Sequence, residues 1–251
     1  MGVKEIAVIS DVHSNRIALD AVLDDVERRG IETIVNLGDS LFGPIAPVET
    51  AERLMNHPGM VNVMGNCDRY LLQEESESLT FQQVKPLLTE PVLKWMETFR
   101  PAYVYEDILF CHGTPASDET YLLEEVTPAG SRDKSVEKLR TELQEIPYGM
   151  IVCGHTHLPK LVYLPDGKQI VNPGSVGFPA YYEETPFPHV MESMSPHAKY
   201  AILSGTRGAW QVEQVYVPYD WERAAGLAEE KGRVDYAYAI RSGWAYIPEV
   251  K

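Results

Sequence analysis

Asp11 with His13, Asp39, Asn66, His112, and His155 with His157 make five short clusters of metal-ligating residue types, most of them beside a glycine. Together they are enough for two metal sites sharing one carboxylate, the make-up of a dinuclear centre. Carboxylate, imidazole and amide oxygen suit Mn²⁺, Fe, Ni²⁺ or Zn²⁺. The three cysteines, Cys67, Cys111 and Cys153, lack the paired spacing of a structural zinc site.

Each cluster needs an element to aim it. IAVIS at 6–10 precedes Asp11, TIVNL at 33–37 precedes Gly38 and Asp39, and MVNVM at 60–64 precedes Gly65 and Asn66. These runs are short, apolar and β-branched, and each ends on a polar residue or glycine. They read as buried parallel strands that hand over to loops. YEDILFC before His112 and YGMIVC before Gly154 repeat the arrangement, and ligands beyond the carboxyl ends of strands are where open α/β sheets place their sites.

Between the strands the pattern turns helical. Residues 14–30 predict an amphipathic helix with Ser14 as N-cap, Ile17, Ala18, Ala21, Val22 and Val26 on one side, and Gly30 as the stop. Residues 48–59 predict a second helix, opened by Pro47 and ended at Pro58 and Gly59. Residues 79–99 read as two helical pieces broken near Pro86 and Pro91, and 131–145 as a charged surface helix. After His157 the character changes to hairpins, one turning at Pro165, Asp166 and Gly167 and one joining 199–205 to 210–219, and both are expected to continue a sheet. The segment 178–197 holds four prolines and reads as a loop, a lid beside the site; from Trp221 the chain is helical and aromatic. This order predicts an α/β four-layer α-β-β-α sandwich: two packed mixed sheets flanked by helices, one domain over 1–251.

The chain carries 37 acidic against 22 basic residues, a formal net charge of −15, so it repels polyanions and offers no basic stripe for duplex nucleic acid. No run is long and apolar enough for a membrane span, the N-terminus carries no leader or myristoylation pattern, and the odd, unpaired cysteines fit a reducing compartment. The expectation is a cytoplasmic protein with a small substrate and no membrane partner, its oligomeric state open. A phosphorylated substrate is compatible with the acidic surface, because two divalent cations would dominate the field at the site.

The blocks DVH at 11–13, GDS at 38–40, GNCD at 65–68, HG at 112–113 and GHTH at 154–157, followed by NPGSVG at 172–177, resemble in order those of the calcineurin-like metallophosphoesterases. GNCD is similar to the block of bacterial and archaeal phosphodiesterase-like members. The resemblance implies one metal held by Asp11, His13, Asp39 and His157 and a second by Asp39, Asn66, His112 and His155. It further implies Asp39, Asn66, Cys67, Asp68 and His112 as residues of the catalytic machinery. Hydrolysis of a phosphoester by attack of a metal-bridging hydroxide is the implied chemistry. The third block departs from many members, which place a histidine where this chain has Cys67, paired with the following acid, to protonate the leaving group. A thiol is a poorer acid for that task at neutral pH, which favours diesters or activated esters over alkyl monoesters.

Other readings compete. A protein phosphatase or dinucleoside polyphosphate hydrolase of the same family typically reads GDxxDRG and GNHE, whereas this chain reads GDSLFGP and GNCD. A metal-binding interaction scaffold would not need all seven ligand residues. Asp68 reads equally as a partner of the third block or as a helix cap, and Cys67 as site-lining or inert. Cys111 and Cys153 read as buried strand residues, His57 as a helix-end residue, and His189 and His197 as exposed polar residues of the proline-rich stretch. Arg16 and Arg69 could meet phosphate oxygens or lie in solvent. Tyr181, Tyr182 and Phe187 could rim a nucleoside or aryl group, but a packed loop is more economical. Loops at 40–47, 113–130 and 178–197 are expected to set the substrate.

Overall fold

A computed structural model describes residues 4–248. The chain begins with β1 (Lys4–Ile9), α1 (Arg16–Arg28), β2 (Thr33–Asn36), α2 (Pro47–Met55), β3 (Met60–Asn62) and α3 (Asn66–Leu71). Two short helices, α4 (Leu79–Val84) and α5 (Glu90–Met96), then lead to β4 (Ala102–Tyr105) and β5 (Ile108–Cys111). Next come β6 (Glu124–Thr127), β7 (Gly130–Asp133), α6 (Val136–Leu143), β8 (Met150–Val152), β9 (Lys160–Tyr163) and β10 (Gln169–Asn172). The last third holds β11 (Ala180–Glu183), β12 (His189–Glu192), β13 (Ala198–Thr206), β14 (Ala209–Val217), α7 (Trp221–Glu230) and α8 (Val234–Ser242).

Two mixed five-stranded sheets, ordered β14-β13-β1-β2-β3 and β4-β5-β8-β10-β9, form the centre. Strand alternation explains how they stack. Ile6 and Val8 of β1 meet Phe110, Met150 and Val152 of the other sheet in the inner core. Ala7 and Ile9, one residue out of phase, face Leu19, Val22 and Val26 of α1. In β8 the middle residue, Ile151, turns outward to Leu139 and Leu143 of α6. Helix, sheet, sheet and helix are therefore the layers, as the expected four-layer sandwich requires.

Several local expectations give way. The first helix is capped by Asn15, whose side chain accepts from the Ala18 N–H, rather than by Ser14, whose Oγ donates to the Leu41 carbonyl. YEDILFC is not one strand: Glu106, at φ 54°, turns the chain between β4 and β5. Residues 131–133 belong to a strand, because Gly130 folds the chain back onto β6, and the helix starts only after Ser135, which caps it. The two late hairpins extend different sheets, β9 and β10 one and β13 and β14 the other. The segment 178–197 is not a plain loop: β11 and β12 pair over four residues each, and its prolines all fall outside the paired positions, where no ladder N–H is needed.

Candidate metal centre

Parallel strands of both sheets end on the same spot. β1 and β2 deliver Asp11, His13 and Asp39, Asn66 opens α3 after β3, β5 delivers His112, and β8 delivers His155 and His157. Short backbone links lock these loops together: the Asp11 N–H donates to the Gly38 carbonyl at 2.9 Å, His13 N–H to Asp39 at 3.0 Å, and Gly154 N–H to His112 at 2.7 Å. The two sheets are joined at the ligands themselves, since the His155 N–H donates to Asp11 Oδ2 at 3.1 Å. Asp11, His13, Asp39, His155 and His157 all adopt left-handed backbone, with φ between 45° and 67°. Asp and His tolerate that region better than most side chains, but such a concentration of costly backbone is what function, not folding, requires. Gly65 shows how tightly the loops are drawn together: a Cβ there would stand 2.1 Å from Asp39 Oδ1 and 2.4 Å from the Asp39 nitrogen.

Every one of the four histidines spends a ring nitrogen on a backbone carbonyl, which can only accept. His13 Nδ1 meets Phe42 at 2.7 Å, His112 Nδ1 meets Leu37 at 2.9 Å, His157 Nδ1 meets Phe178, and His155 Nε2 meets Glu119 at 3.0 Å. A neutral imidazole so bonded turns a lone pair inward from its other nitrogen. His13 Nε2 and His157 Nε2 consequently face each other at 3.2 Å, with Asp11 Oδ1 3.2 Å from the latter. Asp11 Oδ1 is wholly buried and has no hydrogen-bond donor among the described residues. Converging lone pairs and an orphaned carboxylate oxygen are unfavourable without a cation, and ligands about 2.1 Å from one ion lie at roughly such separations from each other.

Two groups emerge, Asp11 with His13 and His157, and Asp39 with His112 and His155, the donor atoms of each within 4.8 Å of one another. Asp39 Oδ2 stands between them, 3.8 Å from His13 Nε2 and 3.4 Å from His112 Nε2. Asn66 joins the second group, its Oδ1 3.0 Å from His112 Nε2. On protein charges alone, burial would raise the Asp39 pKa, but the His112 and His13 imidazoles hold it far below the usual carboxylate range. Burial lowers His112, yet the charges of Asp39 and Asp11 outweigh it and push its pKa up to about 10. Burial and the neighbouring His112 push His155 down to about 4. Carboxylate, imidazole and amide oxygen donors gathered in two such groups suit hard and borderline divalent cations.

The flanking residues sort differently from expectation. Asp68 sits in the first turn of α3, and its carboxylate accepts from the backbone N–H groups of Asp39, Ser40 and Gly65. It ties the second and third blocks together and caps the helix, and its hydrogen bonds do not run to Cys67. Cys67 lines a cavity above the ligands and gives its backbone N–H to Asp39 Oδ1 at 2.9 Å. Arg69 faces neither solvent alone nor the ligands: it pairs with Asp118 and Glu119. Arg16 pairs with Asp20. His189 is not exposed, being 4% accessible with Nε2 3.0 Å from the Tyr121 hydroxyl, because β12 turns it inward. Tyr181 and Tyr182 line the cavity, Tyr181 donating to the His155 carbonyl, while Phe187 stays outside. Sequence reading missed the carbonyls of Phe42, Glu119 and Phe178, which orient the histidines without leaving a residue-type signal. It also missed Ser175, whose hydroxyl donates to the Asp11 carbonyl from within NPGSVG, where the motif itself was the clue.

Among the described residues no helix is long and apolar enough to cross a membrane. An uncharacterized protein of Methanocaldococcus jannaschii is 32% identical over 201 residues, covering 69% of this chain and 76% of that protein. The crystal structure of a metallophosphoesterase from Sphaerobacter thermophilus superposes with a TM-score of 0.76 at 22% identity, covering 96% of this chain and 100% of that one. A hypothetical protein from Pyrococcus horikoshii OT3 does so with a TM-score of 0.73 at 16% identity over 96% and 99%. Both structures share the fold. The model of the calcineurin-like phosphoesterase superfamily domain matches residues 5–191, the stretch that carries every block of the site, and the chain therefore belongs to this superfamily of phosphoester hydrolases.

Proposed function

We propose that the protein is a dinuclear metal-dependent phosphodiesterase. One observation carries the preference for diesters. Two cavities, of about 590 and 580 Å³, meet at Asn66, Tyr121, His155 and Glu183, so a phosphorus atom placed at the ligands has room for an organic group on each side. The charges point the same way. Arg233, the cationic side chain of the first cavity besides its histidines, is paired with Asp235, while Lys134 and Lys138 of the second are paired with Glu142 and Glu125. Among the described residues the lining therefore offers no unpaired Lys or Arg for a monoester dianion, whereas a diester carries a single charge.

In this reading Asp11, His13, Asp39 and His157 hold one ion and Asp39, Asn66, His112 and His155 the other, Mn²⁺ being a suitable occupant of such a donor set. When bound, the ions supply Lewis-acid polarisation of the phosphoryl oxygens and activation of water. The chain keeps the donors in register: the four carbonyls fix the imidazole tautomers, Asp68 fixes the Asp39 loop, and Cys67 N–H orients Asp39 Oδ1. The test is a comparison of bis(4-nitrophenyl) phosphate with 4-nitrophenyl phosphate in Mn²⁺. A kcat/KM at least about tenfold higher for the diester is expected, and a preference for the monoester would overturn the reading.

A further inference from the structure

The larger cavity runs from the ligand floor to the start of α8, beyond residues 5–191 where the family likeness lies. Its wall is aromatic rather than aliphatic, and five of its lining residues are tyrosines. Three of them are tied down: Tyr236 donates to the Phe42 carbonyl and stacks on Phe178 with ring centroids 3.9 Å apart, and Tyr121 and Tyr181 bond to each other. Tyr182 and Tyr246 are different. Their hydroxyls make no hydrogen bond among the described residues, and both rings keep solvent access at the cavity. At the far end Arg233, 8% accessible, spends N–H groups on both oxygens of Asp235 and on Thr80 Oγ1, and lies 4.4 Å from the Tyr236 ring. A guanidinium has more N–H donors than these three bonds use.

We infer that this cavity is a subsite for a heteroaromatic base, so that one arm of the diester is a nucleoside. This rests on the phosphodiester reading above. A nucleobase has a π face for Tyr182 and Tyr246 and a polar edge for the Arg233, Asp235 and Thr80 cluster, and base stacking on aromatic side chains tolerates any base. An acyl chain matches neither feature: it would lie against tyrosine hydroxyls and the Arg233–Asp235 ion pair, with little aliphatic lining beyond Leu79 and Val234. A cavity of about 590 Å³ falls in the size range of small-molecule sites and admits a nucleoside with room to spare.

The experiment uses Mn²⁺-loaded protein hydrolysing methyl 4-nitrophenyl phosphate, with AMP and glycerol 3-phosphate as competing inhibitors. AMP is expected to inhibit at a concentration at least about tenfold lower than glycerol 3-phosphate, and Tyr182→Ala to raise the AMP constant by about tenfold with the glycerol phosphate constant changed less than about twofold. Saturation-transfer NMR of adenosine against glycerol, on chelator-treated protein, gives a readout free of turnover; contact is expected at the base protons. Equal inhibition by the two phosphates, with no adenosine contact, overturns the subsite, and continued hydrolysis of the reporter then leaves the phosphodiesterase standing. Adenosine contact without reporter hydrolysis supports the subsite and overturns the phosphodiesterase instead.

Discussion

Arg69 grips Asp118 with two parallel bonds, Nε and Nη2 lying 2.8 and 3.0 Å from the two carboxylate oxygens, and Nη2 also reaches Glu119 at 2.8 Å. These bonds strap the loop after β5 to α3, and the one to Glu119 holds the residue whose carbonyl accepts from His155 Nε2. Asn66 begins the same helix, so one guanidinium ties together the supports of two donors in the Asp39 group. Bidentate geometry makes arginine hard to replace here.

Arg69→Ala is accordingly expected to weaken one of two metal sites by about tenfold or more, the usual scale for loss of a residue that orients a ligand. Arg69→Lys should recover little, since a point charge cannot fork. Calorimetric titration with Mn²⁺ measures this; two sites of unaltered affinity would show that the strap is structural decoration.

Asp39→Asn should cost both ions, because Asp39 Oδ2 faces both groups and an amide supplies no negative charge to either. Hydrolysis should vanish with metal content, read by elemental analysis of chelator-stripped and reloaded protein. Two bound metals per chain with full turnover would remove Asp39 from its proposed role.

Gly65→Ala tests the backbone rather than the ligand. The new Cβ would overlap Asp39 Oδ1 and its nitrogen, atoms held by Cys67 and Asp68, so the loops must separate. A loss of about 1–3 kcal/mol in denaturant unfolding is expected, with weaker metal binding; wild-type values for both would mean the loops are slack.

Much of this centre was legible in sequence because Asp and His at the ends of β-branched runs are unusual in both type and place. The runs before Asp11 and Asp39 became β1 and β2 for the reason periodicity gives, burial on both faces. What escaped was held by long-range pairing or by backbone atoms. β6 with β7 and β11 with β12 lie in stretches where charge and proline hide alternation, and only the partner strand makes either one a strand. His189 looked exposed because burial by Tyr121, 68 positions away, leaves no local trace. Arg233 and Tyr182 meet in one cavity only after the C-terminal helices fold back.

Stability should respond to acid through Asp25. Burial would raise its pKa, but hydrogen bonds from the Tyr200 hydroxyl at 2.6 Å and from Arg28 and Arg29 outweigh that and hold it below the ordinary 3.8. A depressed folded pKa means this contribution is present in full above the unfolded value and is lost as pH falls through the folded one. Tyr200→Phe, at a fully buried ring, removes a hydrogen bond to a charged group worth about 1.5–3 kcal/mol. Urea unfolding should show that deficit near pH 7 and a smaller one below about pH 4; a deficit that stays constant or grows in acid would contradict the coupling.

Cys67→His asks whether the third block sets the leaving group. The thiol lines the larger cavity, where there is room for an imidazole, and its backbone bond to Asp39 does not depend on the side chain. Family members with histidine there are expected to pair it with the following acid, but here the Asp68 carboxylate is occupied by three backbone N–H groups, so an introduced imidazole would act without that partner. General acids contribute about 10²- to 10⁴-fold when fully positioned, and an unpartnered one should give the lower end or less. The expectation is therefore a gain of about tenfold on alkyl phosphoesters, whose poor leaving groups need a proton, and almost none on 4-nitrophenyl esters, whose leaving group does not. Rates against leaving-group pKa for both proteins provide the measurement. Parallel slopes would mean that Cys67 lies away from the departing oxygen, and the diester preference would then rest on the two cavities and the paired charges of their lining.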